Sequence, residues 1–185
     1  MTLLKSHRWG VSSLSTGVII KRDLNAGSFR FLDIFQGFES LEIVRSIFGD
    51  RTEKVLADLR VDVQARSGYL RVDDETGDIV VSGEYLKTGE GRHLHLDVVH
   101  ELVHVRQFME GKELFDRRYS YVDRPTEIEA YQTCVKEGRR LGMGDEEVVE
   151  YLRVEWVTED EFGRLLSNVG VARRPDSTLK KKQHV

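Results

Sequence analysis

His100, Glu101 and His104 are the residues whose types and spacing can do chemistry: the chain reads His100-Glu101-Leu102-Val103-His104, the pattern HExxH. On an α-helix, at about 100° per residue, positions four apart lie about 40° apart around the axis and one turn along it, so both imidazoles reach one ion. Zinc suits such a pair, and one Zn2+ per chain is the expected cofactor. Glu101 is turned too far round the helix to ligate comfortably. It can instead hydrogen-bond a water on the ion, whose pKa the metal lowers towards about 7. Its expected role is general base. Chance places an HExxH in a chain of this length on the order of once in a hundred, and the periodic apolar stretch around this one lowers that rate further.

A catalytic zinc needs a third protein ligand and an open fourth position. The long form HExxHxxGxxH would put glycine at position 107 and histidine at position 110, where Gln107 and Glu110 stand, so that class is excluded. The run Thr126-Glu127-Ile128-Glu129-Ala130-Tyr131 offers two carboxylates on the next helix, and small Ala130 lets that helix approach the first closely. Other residues read as less specific. His93 and His95 read as exposed loop histidines ahead of donors that support a ligand or a spare ligand, and Arg106 and Gln107 as surface cover ahead of groups that hold a ligand carboxylate. Tyr119, Tyr121 and Tyr131 are within reach in sequence to stabilise an oxyanion, with packing the commoner role for each. The lone Cys134 reads as core.

Over roughly Tyr69 to Leu141 the chain resembles the gluzincins, zincin-type metallopeptidases with HExxH on one helix and a glutamate ligand on the next. Within that class it is similar to the minigluzincins and to the bacterial immunity-repressor-cleaving and radiation-response metallopeptidases, where the ligand Glu often directly precedes Ala. The resemblance implies His100, His104 and Glu129 on zinc, with Glu127 the competitor for the third place, and Glu101 as catalytic base. It also implies that a peptide or protein substrate lies extended along the strand Asp78 to Val81. Val103 departs from the HELGH form common in the class. The function expected is hydrolysis of peptide bonds by Glu-assisted attack of a zinc-bound water. The alternative is a non-catalytic zinc-binding module on a zincin-like scaffold, against which the intact Glu101 argues.

The elements that must position these groups read as an α+β, zincin-like fold: a small antiparallel sheet packed on the HExxH helix, with further helices. A long periodic stretch from Leu94 to Met109 is the best helix, with Gly111 as its stop. Thr126 reads as the N-cap of a second helix running to about Leu141, with Glu129 completing a capping box. Tyr69–Val72 and Asp78–Val81 read as a hairpin about an Asp73–Gly77 turn. Gly17–Lys21 reads as a strand, and Ser28–Phe38, rich in phenylalanine, as a helix that feeds the core. Short helices follow over Glu39–Phe48 and Thr52–Leu59, and two amphipathic ones over Glu146–Val154 and Glu159–Leu166.

Composition bounds the rest. With 185 residues, residues 1–172 suffice for a single domain whose core needs no staple, while residues 173–185 read as a disordered basic tail. One cysteine rules out Cys-rich zinc sites and agrees with a reducing compartment, so the expected location is cytoplasmic. No apolar run nears the roughly 20 residues that span a bilayer. The net charge of −4, from well-mixed charges, argues against a nucleic-acid partner.

Overall fold

The computed structural model describes residues 11–13 and 17–172. Three short strands open the chain: β1 (Val11–Ser13), β2 (Ile19–Lys21) and β3 (Gly27–Arg30). A single helical turn, α1 (Phe31–Ile34), leads into the two-residue strand β4 (Phe35–Gln36), and helices α2 (Glu42–Phe48) and α3 (Thr52–Asp58) follow. Next come β5 (Arg60–Gln64), β6 (Leu70–Val72), β7 (Ile79–Ser82) and a short helix α4 (Gly83–Thr88). The long helices α5 (Gly91–Met109) and α6 (Pro125–Arg140) then carry the site, and α7 (Asp145–Tyr151) and α8 (Glu159–Asn168) close the described chain.

The architecture is α+β. The main sheet is ordered β3-β5-β7-β6, and β1-β2-β4 form a second, smaller antiparallel sheet. The main sheet is mixed rather than antiparallel throughout: β5 and β7 run parallel, pairing Val61 with Ile79 and Val63 with Val81. The hairpin expectation holds, with Leu70 opposite Val81 and Val72 opposite Ile79. Its turn is fixed by Asp73, whose Oδ1 accepts from Glu75 N at 3.0 Å and Thr76 N at 3.2 Å. Gly77 has φ +77°, and a Cβ there would lie 2.5 Å from the Phe108 ring, so both conformation and space call for glycine. One consequence corrects the expected substrate edge. The strand containing Asp78–Val81 is interior, flanked by β5 and β6, and the free edge beside it is β6.

The helix expected over Ser28–Phe38 is reduced to the single turn α1, Phe31–Ile34. Gly27–Arg30 pairs instead with β5, from Gly27 opposite Val63 to Arg30 opposite Arg60, and Phe35–Gln36 pairs with β2. Tertiary pairing overrides the helical spacing of the phenylalanines, while their burial is as expected: Phe31, Phe35 and Phe38 are fully buried and meet ring to ring at 5.1–6.0 Å.

Helix α5 is wedged between two apolar clusters. Leu94, Val98, Val99, Leu102 and Val105 face the sheet and the α1–α3 region, whereas Leu96 joins a second cluster with Cys134, Val148, Leu152, Phe162 and Leu165. Helix α5 is buried on most sides although nearly half of its residues are polar, so the polar side chains that it buries must be satisfied internally or bind something. It starts on Glu90, whose carboxylate accepts from His93 N at 2.9 Å, and stops at Gly111, φ +74°, as the sequence suggested. Helix α6 packs along it. It begins one residue before the Thr126 expected as its cap: Pro125 occupies the first turn and Arg124 precedes it. Thr126 Oγ1 donates across to Leu114 O at 3.3 Å, so no capping box with Glu129 exists. Among the described residues no helix is long and apolar enough to cross a membrane. The proposed tail, residues 173–185, lies outside the described residues.

Candidate metal centre

On α5, positions 93, 97, 100, 101 and 104 follow helical spacing, so the side chains of His100, Glu101 and His104 emerge on one side. All three are buried. The Nε2 atoms of His100 and His104 converge to 2.9 Å. Across from them, the Oε2 atom of Glu127 stands 3.2 Å from the first and 3.5 Å from the second. Ligands about 2.0–2.1 Å from a tetrahedral zinc lie about 3.3 Å from one another, so the three observed separations are those of three corners of such a site. Glu127 Oε2 is buried and, despite its nearness to the imidazoles, has no hydrogen-bond donor in line with it. A buried carboxylate oxygen left in this way is costly unless a cation meets it. Residues His100, His104 and Glu127 therefore fit a metal ion, and among the described residues they are the group of side chains that could hold one.

Glu129 is not among them. A residue two positions on along a helix is turned by about 200°, so only one of the two carboxylates can face α5. The buried stripe of α6 is Glu127, Ala130, Tyr131, Cys134, Glu137 and Gly138, and Glu129 falls off it. Its carboxylate turns outward to Arg106 at 2.6 Å and Lys112 at 3.4 Å. Those cations, against the effect of burial, hold its pKa down to about 2. The sequence-based preference for Glu129 over Glu127 is corrected on this geometry; the stripe spacing 127/130/134/138 was the signal that could have chosen between them.

Glu129 nevertheless reaches the centre through a neighbour. Gln107, read from sequence as surface cover, is fully buried. Its Nε2 donates to Thr126 O at 3.0 Å and to Glu129 Oε2 at 2.8 Å, which leaves Oε1 to accept from His104 Nδ1 at 2.7 Å. Because a carboxamide oxygen only accepts, Nδ1 must carry the proton, and the Nε2 lone pair is aimed at the cluster. This is the arrangement that orients a ligating histidine.

Glu101 stands beside the cluster with Oε2 buried and without a hydrogen-bond partner. Burial raises its carboxyl pKa, and His100 and His104 only partly offset this. For Glu127 the balance is opposite: burial pushes up, but the two histidines hold it well below the usual carboxylate range. Tyr131 packs edge-on against His100, ring centroids 4.5 Å apart, and its hydroxyl meets that of Tyr121 at 2.8 Å. Burial keeps both phenols protonated well beyond their ordinary range. Tyr119, by contrast, is exposed and away from the site. His95 is no loop residue but fully buried within α5, bonded to Glu137 at 2.8 Å. His93 lies in the first turn of α5, its ring against Tyr151. Cys134 is buried, as expected, and donates to Leu96 O at 3.3 Å.

Two hollows adjoin the cluster and share Leu70, His100, Glu101, Tyr121 and Trp156. One runs between α5 and the β6 edge, past Leu70 and Val72 to Leu114 and Phe115. The other opens toward Tyr69, Tyr85 and Asp97, the last a residue that sequence reading passed over. Comparison with known protein families, with curated proteins and with solved structures gives no significant match to the chain.

Proposed function

We propose that the protein is a zinc-dependent peptidase, with His100, His104 and Glu127 holding the ion and Glu101 as general base. The observation that carries this reading is the convergence of three buried ligand atoms beside a fourth buried group, Glu101 Oε2, that has no partner and borders an open hollow. Zinc, when bound, polarises a carbonyl oxygen and acidifies a water. Glu101 takes the proton of the attacking water and returns it to the departing amine nitrogen. A buried carboxyl that lines the hollow and keeps one oxygen without a partner is suited to both transfers. The Tyr121 and Tyr131 hydroxyls, kept protonated, are the donors available to the oxyanion.

The substrate class follows from the sheet. β6 ends the main sheet, and its residues Leu70, Arg71 and Val72 line the hollow that reaches His100 and Glu101. An extended peptide added to that edge gains backbone hydrogen bonds and brings a carbonyl to the cluster. Glu101→Gln should retain zinc and lower peptide hydrolysis by about 10²–10⁴-fold, as removal of a general base does. Unchanged turnover in that variant would sink the mechanism. Zinc bound tightly by a wild-type protein that cleaves no peptide would leave a metal-binding module in its place.

A further inference from the structure

The second hollow, a cavity of about 280 Å³, has walls and charges unlike those of the β6 groove. Its wall is a continuous run of rings: Tyr85 meets Tyr69 at 5.1 Å, Tyr69 meets Trp156 at 5.7 Å, and Trp156 meets Tyr121 at 5.9 Å. Inside that wall lies Asp97. Its Oδ1 accepts from the Tyr151 hydroxyl at 3.1 Å and its Oδ2 from the Tyr85 hydroxyl, so the carboxylate is held in one orientation. Glu150, Glu155 and the base Glu101 line the same cavity.

The charge is uncompensated. Among the described residues no lysine or arginine forms an ion pair with Asp97, Glu150 or Glu155. The one arginine that lines the cavity, Arg153, is already engaged, 2.6 Å from Glu159 and stacked 4.4 Å over the Phe162 ring. His93, packed against Tyr151, and His100 of the cluster are the remaining groups there that can carry positive charge. A largely enclosed acid within aromatic faces is the environment that a guanidinium or ammonium group seeks, because rings and carboxylate attract it together.

We infer that this cavity is the subsite for an arginine or lysine side chain of the substrate, next to the bond cleaved at His100 and Glu101. The inference rests on the peptidase reading for its link to catalysis, but cation binding does not depend on turnover. Asp97 and the aromatic wall then act as specificity determinants, and Trp156, shared by both hollows, reports occupancy directly.

The chain holds two tryptophans, Trp9 and Trp156, so a Trp9→Phe background isolates emission from the cavity. In that background, arginine amide should shift Trp156 emission saturably, and citrulline amide, of the same shape without charge, should bind about tenfold or more weakly. Asp97→Asn should abolish the difference, and Glu155→Gln, at an exposed position that tolerates change, should reduce it severalfold. In parallel, peptides differing only by arginine against citrulline at one position should show the same preference in kcat/KM for the zinc-loaded enzyme. Equal response to both amides overturns the subsite. Hydrolysis of both peptides at equal rates also overturns it while leaving the peptidase intact. Arginine binding that Asp97→Asn removes, with no peptide hydrolysed, upholds the cation site and fails the peptidase reading.

Discussion

Helices α5 and α6 meet at two buried histidine–glutamate pairs, and the pairs are built to opposite ends. At one, Glu137 has both oxygens taken: Oε1 accepts from His95 at 2.8 Å and Arg140 Nη2 at 2.7 Å, and Oε2 from Arg140 Nε at 2.7 Å. At the other, Glu127 faces two histidine nitrogens that also face each other, and its Oε2 is left without a donor. Both carboxylates are held below their usual pKa range, but one by a resident arginine and the other by imidazoles alone. The first carboxylate is closed off by the protein's own arginine and histidine, although His95 Nδ1 is left without a partner. The second has a further histidine in place of the arginine, a donor set that could hold a metal ion.

The sharpest way to separate the two is to neutralise the closed joint. Glu137→Gln removes the charge and one of the two acceptor oxygens that Arg140 and His95 use, putting an NH2 donor in its place, and should cost about 2–3 kcal/mol of stability while zinc stoichiometry is unchanged. The pH dependence has a definite sign. Burial alone would raise the Glu137 carboxyl, but Arg140 first and His95 second outweigh it and lower it. Its contribution is therefore complete above the unfolded-state pKa of about 4.3 and is lost as pH falls through the lower folded value. Denaturant midpoints measured from pH 7 down to pH 3 should converge for wild type and Glu137→Gln at the acid end. A constant gap would show that the pair contributes nothing through charge.

A smaller effect is expected one step behind the open cluster. Gln107→Ala removes the acceptor that fixes the His104 ring, and should weaken zinc about 10–100-fold in competition with a chelator, with modest loss of stability. If affinity is unchanged, Gln107 is only packing. Smallest of all is Arg106→Met, which frees Glu129 on the surface. Partly exposed pairs of this kind contribute about 1 kcal/mol or less, and thermal unfolding should show a shift of that order without change in zinc content.

What could be read from sequence divides along physical lines. HExxH was legible because a ligand pair four apart on one helix is a local geometry, fixed within a single turn. The hairpin was legible for the same reason, its turn being written in Asp73 and Gly77. The third member of the candidate metal group was not, because choosing between Glu127 and Glu129 depends on which face of α6 meets α5, and with Arg124 as its cap that helix starts two residues earlier than a Thr126 cap implies. Phe31, Phe35 and Phe38 announced a core but not its form: pairing with β2 and β5 set the local backbone there. His95 and Gln107 were misplaced at the surface because their partners, Glu137 and Thr126, lie 42 and 19 residues away.

The most direct test of the central claim is the zinc content of purified protein, measured by elemental analysis for wild type, Glu127→Gln and Glu129→Gln prepared identically. The account predicts one zinc per chain in the wild type, the same in Glu129→Gln, and loss of most of it in Glu127→Gln. Zinc lost with Glu129 and retained without Glu127, or absent from all three after zinc is supplied, would contradict it.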